Sequence, residues 1–426
     1  TAVSAAPDDP DTVLVAGYDR NGVAVVVVSS DGAQEFVSLG CSAIDGIILS
    51  ASISPSVTGR RDIAVGTIDT TAGGRIWRYE SGRYWTQSWQ DTSRNDGWDE
   101  TPLWAGDPAH ILAVTSIAFS PSYADDNAIL AAVIGDAEEP DGDPYSGFYF
   151  VAGVWDSAPA WNADAGLSSH PVLIRDAGSV LHAPVSLPVF LLRNAAGIAL
   201  PADYHADMSS HRNVLLYANG SLVHPASDTV RGEGGFLFWV QDATLSGEML
   251  GREDNPWVAS TAYSGTSDMR GRILVGTFFP DGWSTGDIAA WCDTGSPAPR
   301  CCAGVDGLLS ENNDPCCPHW TRAQRPPSGQ FNAQVAWSAD GEAARAATSG
   351  AGRLWHNDDW YADESAFSRS DREADRWEQC GLIDTMIRRL VDVAYDPAAA
   401  VLYLHTSHPV GDGTVCSCHS IWRWRG

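Results

Sequence analysis

Two groups of residues in this 426-residue chain have types and spacings that could do chemistry. The first is acidic. Asp136, Glu138, Asp141 and Asp143 stand close together with Pro140 and Gly142 between them. Carboxylates alternating around glycine can wrap a hard cation such as calcium, although the spacing is not that of an EF-hand loop. A solvated acidic loop is the competing reading. The second group is sulfur. Cys292, Cys301, Cys302, Cys316 and Cys317 fall in a segment rich in Pro, Gly and Asn, 292–330, while Cys416 and Cys418 come near the end and Cys41 and Cys380 stand apart. Adjacent cysteines suit tetrahedral zinc poorly, and no Cys-x-x-Cys pair occurs at finger spacing. Disulfides formed in an oxidising compartment are the reading to set against zinc. Nine cysteines leave at least one thiol free or paired outside the chain. Asn219-Gly220-Ser221 is a glycosylation sequon, with Asn219 as the acceptor in a surface loop. His205, Asp207 and His211 share a turn, but the histidines as a whole offer no convergent set.

These residues must be carried by something, and the carrier is a repeat. Residues 111–133 read as an apolar run, a turn at Ser120-Pro121 and Asp125-Asp126-Asn127, and a second apolar run. Short runs of β-branched and aromatic residues bounded by Pro, Asn and Asp are strand–turn–strand signals. The runs show little polar alternation, so the strands should be buried on both faces. Variants recur from about residues 2, 48, 112, 197, 257, 331 and 388, which makes seven copies. A glycine followed by apolar and aromatic residues marks a third strand after most of them, as at Gly74-Arg75-Ile76-Trp77 and Gly147-Phe148-Tyr149-Phe150. Repeats of roughly 40 to 80 residues with four strands each predict an all-β chain: a seven-bladed β-propeller of four-stranded blades, one domain over 1–426. Two stacked β-sandwiches are the alternative. The long insertions, 135–146, 219–234, 278–286, 292–330 and 407–419, fall at connections that open on one face. That face is expected to carry long loops and the opposite one short turns.

Composition narrows the partners. The net charge is −28, and every one of the 26 basic residues is arginine. Phosphate binding needs a basic face, so nucleic acid is an improbable partner. No run reaches the roughly 18 to 20 apolar residues of a membrane-spanning helix. The chain opens at Thr1 almost directly in the first repeat, which reads as a processed form. A GC-rich genome, which favours arginine and alanine codons, is one reading of this composition; a secreted or high-salt setting, where an acidic surface keeps the chain soluble, is the other.

One stretch carries a resemblance. Ser29, Asp31, Gly32 and Phe36 stand in the order Ser-x-Asp-Gly-x-x-x-aromatic. This resembles a degenerate Asp-box, the turn motif of sialidase-like and sortilin-like propellers of secreted bacterial proteins. The other repeats lack the box, so the resemblance implies fold and not activity. The Phe/Tyr-Arg-Ile-Pro motif of sialidase-like enzymes is missing, and no carboxylate pair for glycoside chemistry can be singled out among 54 acids. The expectation is a non-catalytic extracellular or cell-surface module, bound to other surface proteins, copies of itself or glycans, with no cofactor unless calcium. A carbohydrate-active enzyme of sialidase-like type is the alternative.

Overall fold

The fold was analysed in a computed structural model. It describes the chain apart from Thr1, Gly426 and a set of internal segments. The larger of these are 82–87, 139–143, 175–194, 224–229, 250–256, 279–290, 294–299, 303–306, 309–332, 338–342, 349–354, 361–364, 372–375, 384–388, 397–400 and 411–415. The molecule is all-β, with antiparallel strands joined in chain order. The first sheet holds Ala2–Ala6, Asp9–Tyr18, Ala24–Ser29 and Val37–Ser38. A second runs Ile47–Ile53, Asp62–Ile68, Ile76–Glu80 and Gln90–Asp91, and a third His110–Phe119, Ala128–Glu138, Pro144–Val154 and Ala160–Trp161. One pairing joins the second and third: Ala113, in the first strand of the third, with Ile68, at the end of the second strand of the second. The fourth is Ala196–Ala199, Asn213–Val223, Val230–Gln241 and Thr244–Met249. The fifth is Trp257–Gly265, Gly271–Phe278 and Gly307–Leu308; the sixth Ala333–Trp337, Ala343–Thr348, Ser365–Asp371 and Trp377–Ile383. The last is Arg389–Asp396, Val401–Val410 and Cys416–Arg425.

Each sheet buries both faces against its neighbours, and the two-residue period of a strand shows how. In Ala128–Glu138, Ile129, Ala131 and Val133 pack with Ala64, Ile76 and Val114 toward the second sheet. Ala128, Leu130, Ala132 and Ile134 turn the other way, onto Val214, Leu216, Phe236 and Phe238 of the fourth. A strand apolar on both faces has no polar alternation, which is the pattern read in the repeat. The same arrangement continues round the molecule. Leu14 and Val26 pack on Ile63 and Val65; Leu215 and Trp239 on Val258 and Val275; Leu274 on Val335 and Trp337; Phe367 on Leu402 and Leu404. The circuit closes where Val3 and Val13 of the first sheet meet Val401 and Tyr403 of the last.

An aromatic cluster surrounds Trp161, which is fully buried and whose ring centre lies 4.6 Å from that of Trp98 and 4.8 Å from that of Trp155. Gly153 passes beneath this cluster. A Cβ there would come within 2.6 Å of Trp155 and 2.7 Å of Trp161, so only glycine lets the strand approach the indoles.

Candidate functional site

Among the described residues, the first strands of the seven sheets named above border one central cavity of about 300 Å³. Each is hydrogen-bonded to its own second strand on one side, so that, the single Ala113–Ile68 pairing aside, its other edge must find partners elsewhere. A repeated irregularity supplies some of them. The pairing of first with second strand slips at Ile48/Ser50, Val114/Ser116, Val258/Ser260 and Leu390/Asp392, which is a β-bulge at the same place in four sheets. A bulge re-aims the residue beside it. Ser50 Oγ donates to the Val114 carbonyl of the next sheet, 3.1 Å, and Ser260 Oγ accepts from Val335 N, 2.9 Å. Asp392 Oδ2 accepts from Val3 N at 2.7 Å while its Oδ1 takes Val393 N at 2.9 Å. Three of the four bulge residues thus reach the first strand of the neighbouring sheet, and the one at the junction of last and first sheets is a carboxylate.

Asn219 performs a similar task from a second strand. Its Nδ2 donates to Val258 O and its Oδ1 accepts from Val258 N, both at 2.6 Å, so one side-chain amide replaces a ladder partner for the fifth sheet. Asn219 is fully buried. This corrects the expectation of a glycosylated surface asparagine: the amide nitrogen that would carry a glycan is inside and already engaged. Beside it, the Tyr217 hydroxyl reaches Ala259 O at 3.4 Å. Burial, with the Asp392 charge second, pushes that phenol well above its ordinary range.

The turns between first and second strands form one end of the molecule, and carboxylates staple them together. Asp8 accepts from Ser56 N at 3.0 Å and from the Arg61 guanidinium. Asp62 holds Arg78 at 2.7 Å and accepts from the Tyr123 hydroxyl. Burial first, then the adjacent Asp62 charge, raises the Tyr123 phenol far above its usual range. Asp126, entirely buried, accepts from Ser120 Oγ at 2.7 Å, Ala128 N at 3.0 Å and Ala206 N of the fourth sheet at 2.9 Å. Asp203 takes the Ser267 N–H at 2.6 Å and its hydroxyl at 2.8 Å. At the junction Tyr403 donates to Pro10 O, 2.6 Å, and Arg423 pairs with Asp11. The turn chemistry read at Asp125-Asp126-Asn127 is a single helical turn closed by Asn127 at φ 50°, and its middle acid is a staple.

The opposite end carries the hairpins between second and third strands. Segments read as loop insertions are in large part paired strand. Gly135, Asp136 and Glu138 lie opposite Gly147, Ser146 and Pro144; Gly220 to Val223 pair with Gly234 to Val230; Ser407 to Val410 pair with His419 to Cys416.

Of the calcium candidates, Asp136 and Glu138 close the strand Ala128–Glu138, whereas Asp141 and Asp143 lie outside the described residues. Cys41 and Cys380 are free thiols, half-buried. The strands Trp291–Asp293 and Arg300–Cys302 set Cys292 directly opposite Cys301. Cys316 and Cys317 lie outside the described residues. His205 and His211 stand on the stapled end, near Asp126 and Asp203 at 3.9 and 3.8 Å. The Asp-box-like turn is well formed: Asp31 Oδ1 accepts from Gln34 N and Glu35 N, each 3.0 Å, and from Ser29 Oγ, 2.7 Å. The Glu35 N–H first, then the Ser29 hydroxyl, holds that carboxyl below its ordinary range. No helix among the described residues is long and apolar enough to cross a membrane.

No protein-family model matches the chain, and no curated protein matches it. Solved structures resemble it in course only. The GH74 enzyme of Niastella koreensis shares 10% identity over 98% of this chain and 64% of its own, with a TM-score of 0.33. The mitotic checkpoint complex gives 10% identity, 99% and 89% coverage and 0.41. Prolyl oligopeptidase B of Galerina marginata gives 10% identity, 99% and 48% coverage and 0.43. The chain thus spans less than two thirds of the GH74 enzyme, and none of these scores assigns it an activity.

Proposed function

We propose that the chain is a seven-bladed β-propeller that works as an extracellular binding or assembly module, presenting its long hairpins to other surface proteins, glycans or copies of itself. The observation that carries this reading is the division between the two ends. One end is clamped between successive sheets by carboxylates, exposed at Asp8, half-buried at Asp203 and buried at Asp62 and Asp126. The other extends three paired hairpins beyond them. A scaffold already fixed holds its recognition elements still, which lowers the ordering cost of association. The opposition of Cys292 and Cys301 supports a bridge in an oxidising compartment. Calcium at Asp136, Glu138, Asp141 and Asp143 remains part of the proposal, as a screen for the net charge of −28 when acidic copies approach.

The test is made on the full chain. Self-association and binding to a glycan array are followed with and without a chelator, beside variants in which the hairpin tips 139–143 and 224–229 are replaced by short glycine turns. Loss of association or glycan binding in the tip variants, with unfolding unchanged, supports the module. Turnover of a glycoside in a broad substrate screen, abolished by one acidic substitution, replaces it with the carbohydrate-active alternative.

A further inference from the structure

We propose that the hairpin formed by the second and third strands of the last sheet binds a zinc ion at Cys416, Cys418 and His408. The inference does not rest on what the hairpin end recognises.

The register carries it. Val401–Val410 and Cys416–Arg425 pair without a slip, from Val401 opposite Arg425 to Val410 opposite Cys416. Residues two apart on a strand share a face, and so do residues directly opposite each other. Cys416 and Cys418 therefore stand on one face of the sheet, and His408, paired with Cys418, stands on it beside them. Ser417 and His419 fall on the other face. The chain holds no second Cys-x-Cys.

Distance separates the two things that such a pair of cysteines can do. Same-face positions follow each other about every 6.8 Å along an antiparallel strand. A disulfide needs Cβ atoms ~3.5–4.5 Å apart, so these two do not bridge one another while the strand stays paired. A zinc ion holds each sulfur at about 2.3 Å and spans sulfurs up to about 4.6 Å apart, which brings the same positions within its reach. The position opposite, about 4.5–5.5 Å across the ladder, is nearer still, and an imidazole reaches further than a thiol. The residue between the cysteines also removes the objection that holds for the adjacent pairs Cys301-Cys302 and Cys316-Cys317. Two sulfurs and one nitrogen are a set that zinc takes and calcium, which takes oxygen, does not. Three protein ligands leave one tetrahedral position for water. On binding, each thiol gives up its proton to solvent, so one zinc ion enters as two protons leave.

The experiment uses the full chain, purified without reductant, freed of metal with a chelator and kept under nitrogen. Zinc chloride is the probe and calcium chloride the control. Iodoacetamide labelling is followed residue by residue by mass spectrometry. Both Cys416 and Cys418 are expected to label in the metal-free chain and to label at least ~10-fold more slowly with zinc, whereas calcium leaves the rates unchanged. Cobalt(II) in place of zinc should give a thiolate charge-transfer absorption, and Cys416→Ser with Cys418→Ser should remove the part of it that one equivalent produces. His408→Ala should weaken cobalt binding at least ~10-fold, since losing a mere supporting partner of a ligand costs about 10- to 100-fold. His419→Ala, on the other face, should leave it unchanged. The proposal is overturned if Cys416 or Cys418 is found bridged in the unreduced chain, if zinc does not protect them, if the double serine variant keeps the full absorption, or if His419→Ala weakens binding as much as His408→Ala.

Discussion

Replacing Asp392 tests the closure of the circuit most directly. Among the described residues the first and last sheets share no strand pairing. They are joined by one apolar cluster, the Asp392 to Val3 bond, Tyr403 to Pro10 and Arg423 to Asp11. A hydrogen bond to a charged group contributes about 1.5–3 kcal/mol, and an orphaned buried donor costs about 1–3 kcal/mol. Val3 is only 5% exposed, so its N–H has little water to turn to. The two terms overlap, and Asp392→Ala should therefore cost about 2–4 kcal/mol. Asp392→Asn keeps one carbonyl oxygen for Val3 and should cost about half as much. Asp392→Ser copies the bulge residue of other sheets and should fall between them. The assay is hydrogen exchange at the Val3 amide together with the urea midpoint. A junction weakened by 2–4 kcal/mol opens roughly 30- to 700-fold more often, at about 1.4 kcal/mol per factor of ten. The Leu130 amide, in the third sheet far from the junction, serves as internal control. Equal exchange at Val3 in Asp392→Ala and the parent would refute the reasoning, because the carboxylate would then hold nothing.

Three further outcomes are expected. Burial first, and the Arg212 charge second, lowers the His170 imidazole to about 4, where it lies 5.2 Å from the Phe150 ring. The unfolded chain protonates this residue near pH 6.5 and the folded one does not, so stability should be complete above that pH and decline by roughly 3 kcal/mol down to pH 4; His170→Phe should flatten that part of a pH series of urea midpoints. Asn219→Leu removes both bonds to Val258 and leaves a buried N–H and C=O unpaired, at a cost of about 2–4 kcal/mol in a denaturation curve, while intact mass should show no glycan on the parent Asn219 after expression in a glycosylating host. Gly153→Ala should overpack the indole cluster by about 1–3 kcal/mol and change the Trp fluorescence.

The strands were legible because burial on both faces leaves a simple mark: short β-branched runs with no polar alternation. Each of the seven repeat copies contains an antiparallel pair of strands. Residues 48–67 hold Ile47–Ile53 with Asp62–Ile68, and residues 390–406 hold Arg389–Asp396 with Val401–Val410. The hairpin extensions were harder, since their glycine, proline and acidic residues read as loop although the backbone there is paired. Asn219 misled for a physical reason. A sequon is a local pattern, and burial is not local; the useful signal was a polar residue ending the apolar run Val214 to Ala218. The bulge had a signal too. Ser50, Ser116, Ser260 and Asp392 stand at one position of Leu-Ser-Ala-Ser, Thr-Ser-Ile-Ala, Ala-Ser-Thr-Ala and Val-Asp-Val-Ala. A polar residue recurring inside a buried strand needs a partner that is not its own sheet.

That one position also shows why the junction is chemically different from the other joints. Sheets in mid-chain are tied to their neighbours by the connecting backbone as well as by side chains. A hydroxyl latch such as Ser50 or Ser260 then has only to set the register of an edge already held nearby. The first and last sheets are almost the whole chain apart in sequence, so closing them carries the largest loop-closure entropy in the molecule. A charge-assisted bond is roughly twice as strong as a neutral one, and here the carboxylate replaces the hydroxyl. Two more contacts at the same joint draw on the polar ends of Tyr403 and Arg423, and the guanidinium lies 5.9 Å from the Tyr403 ring centre. The stronger chemistry falls at the joint that has no backbone of its own.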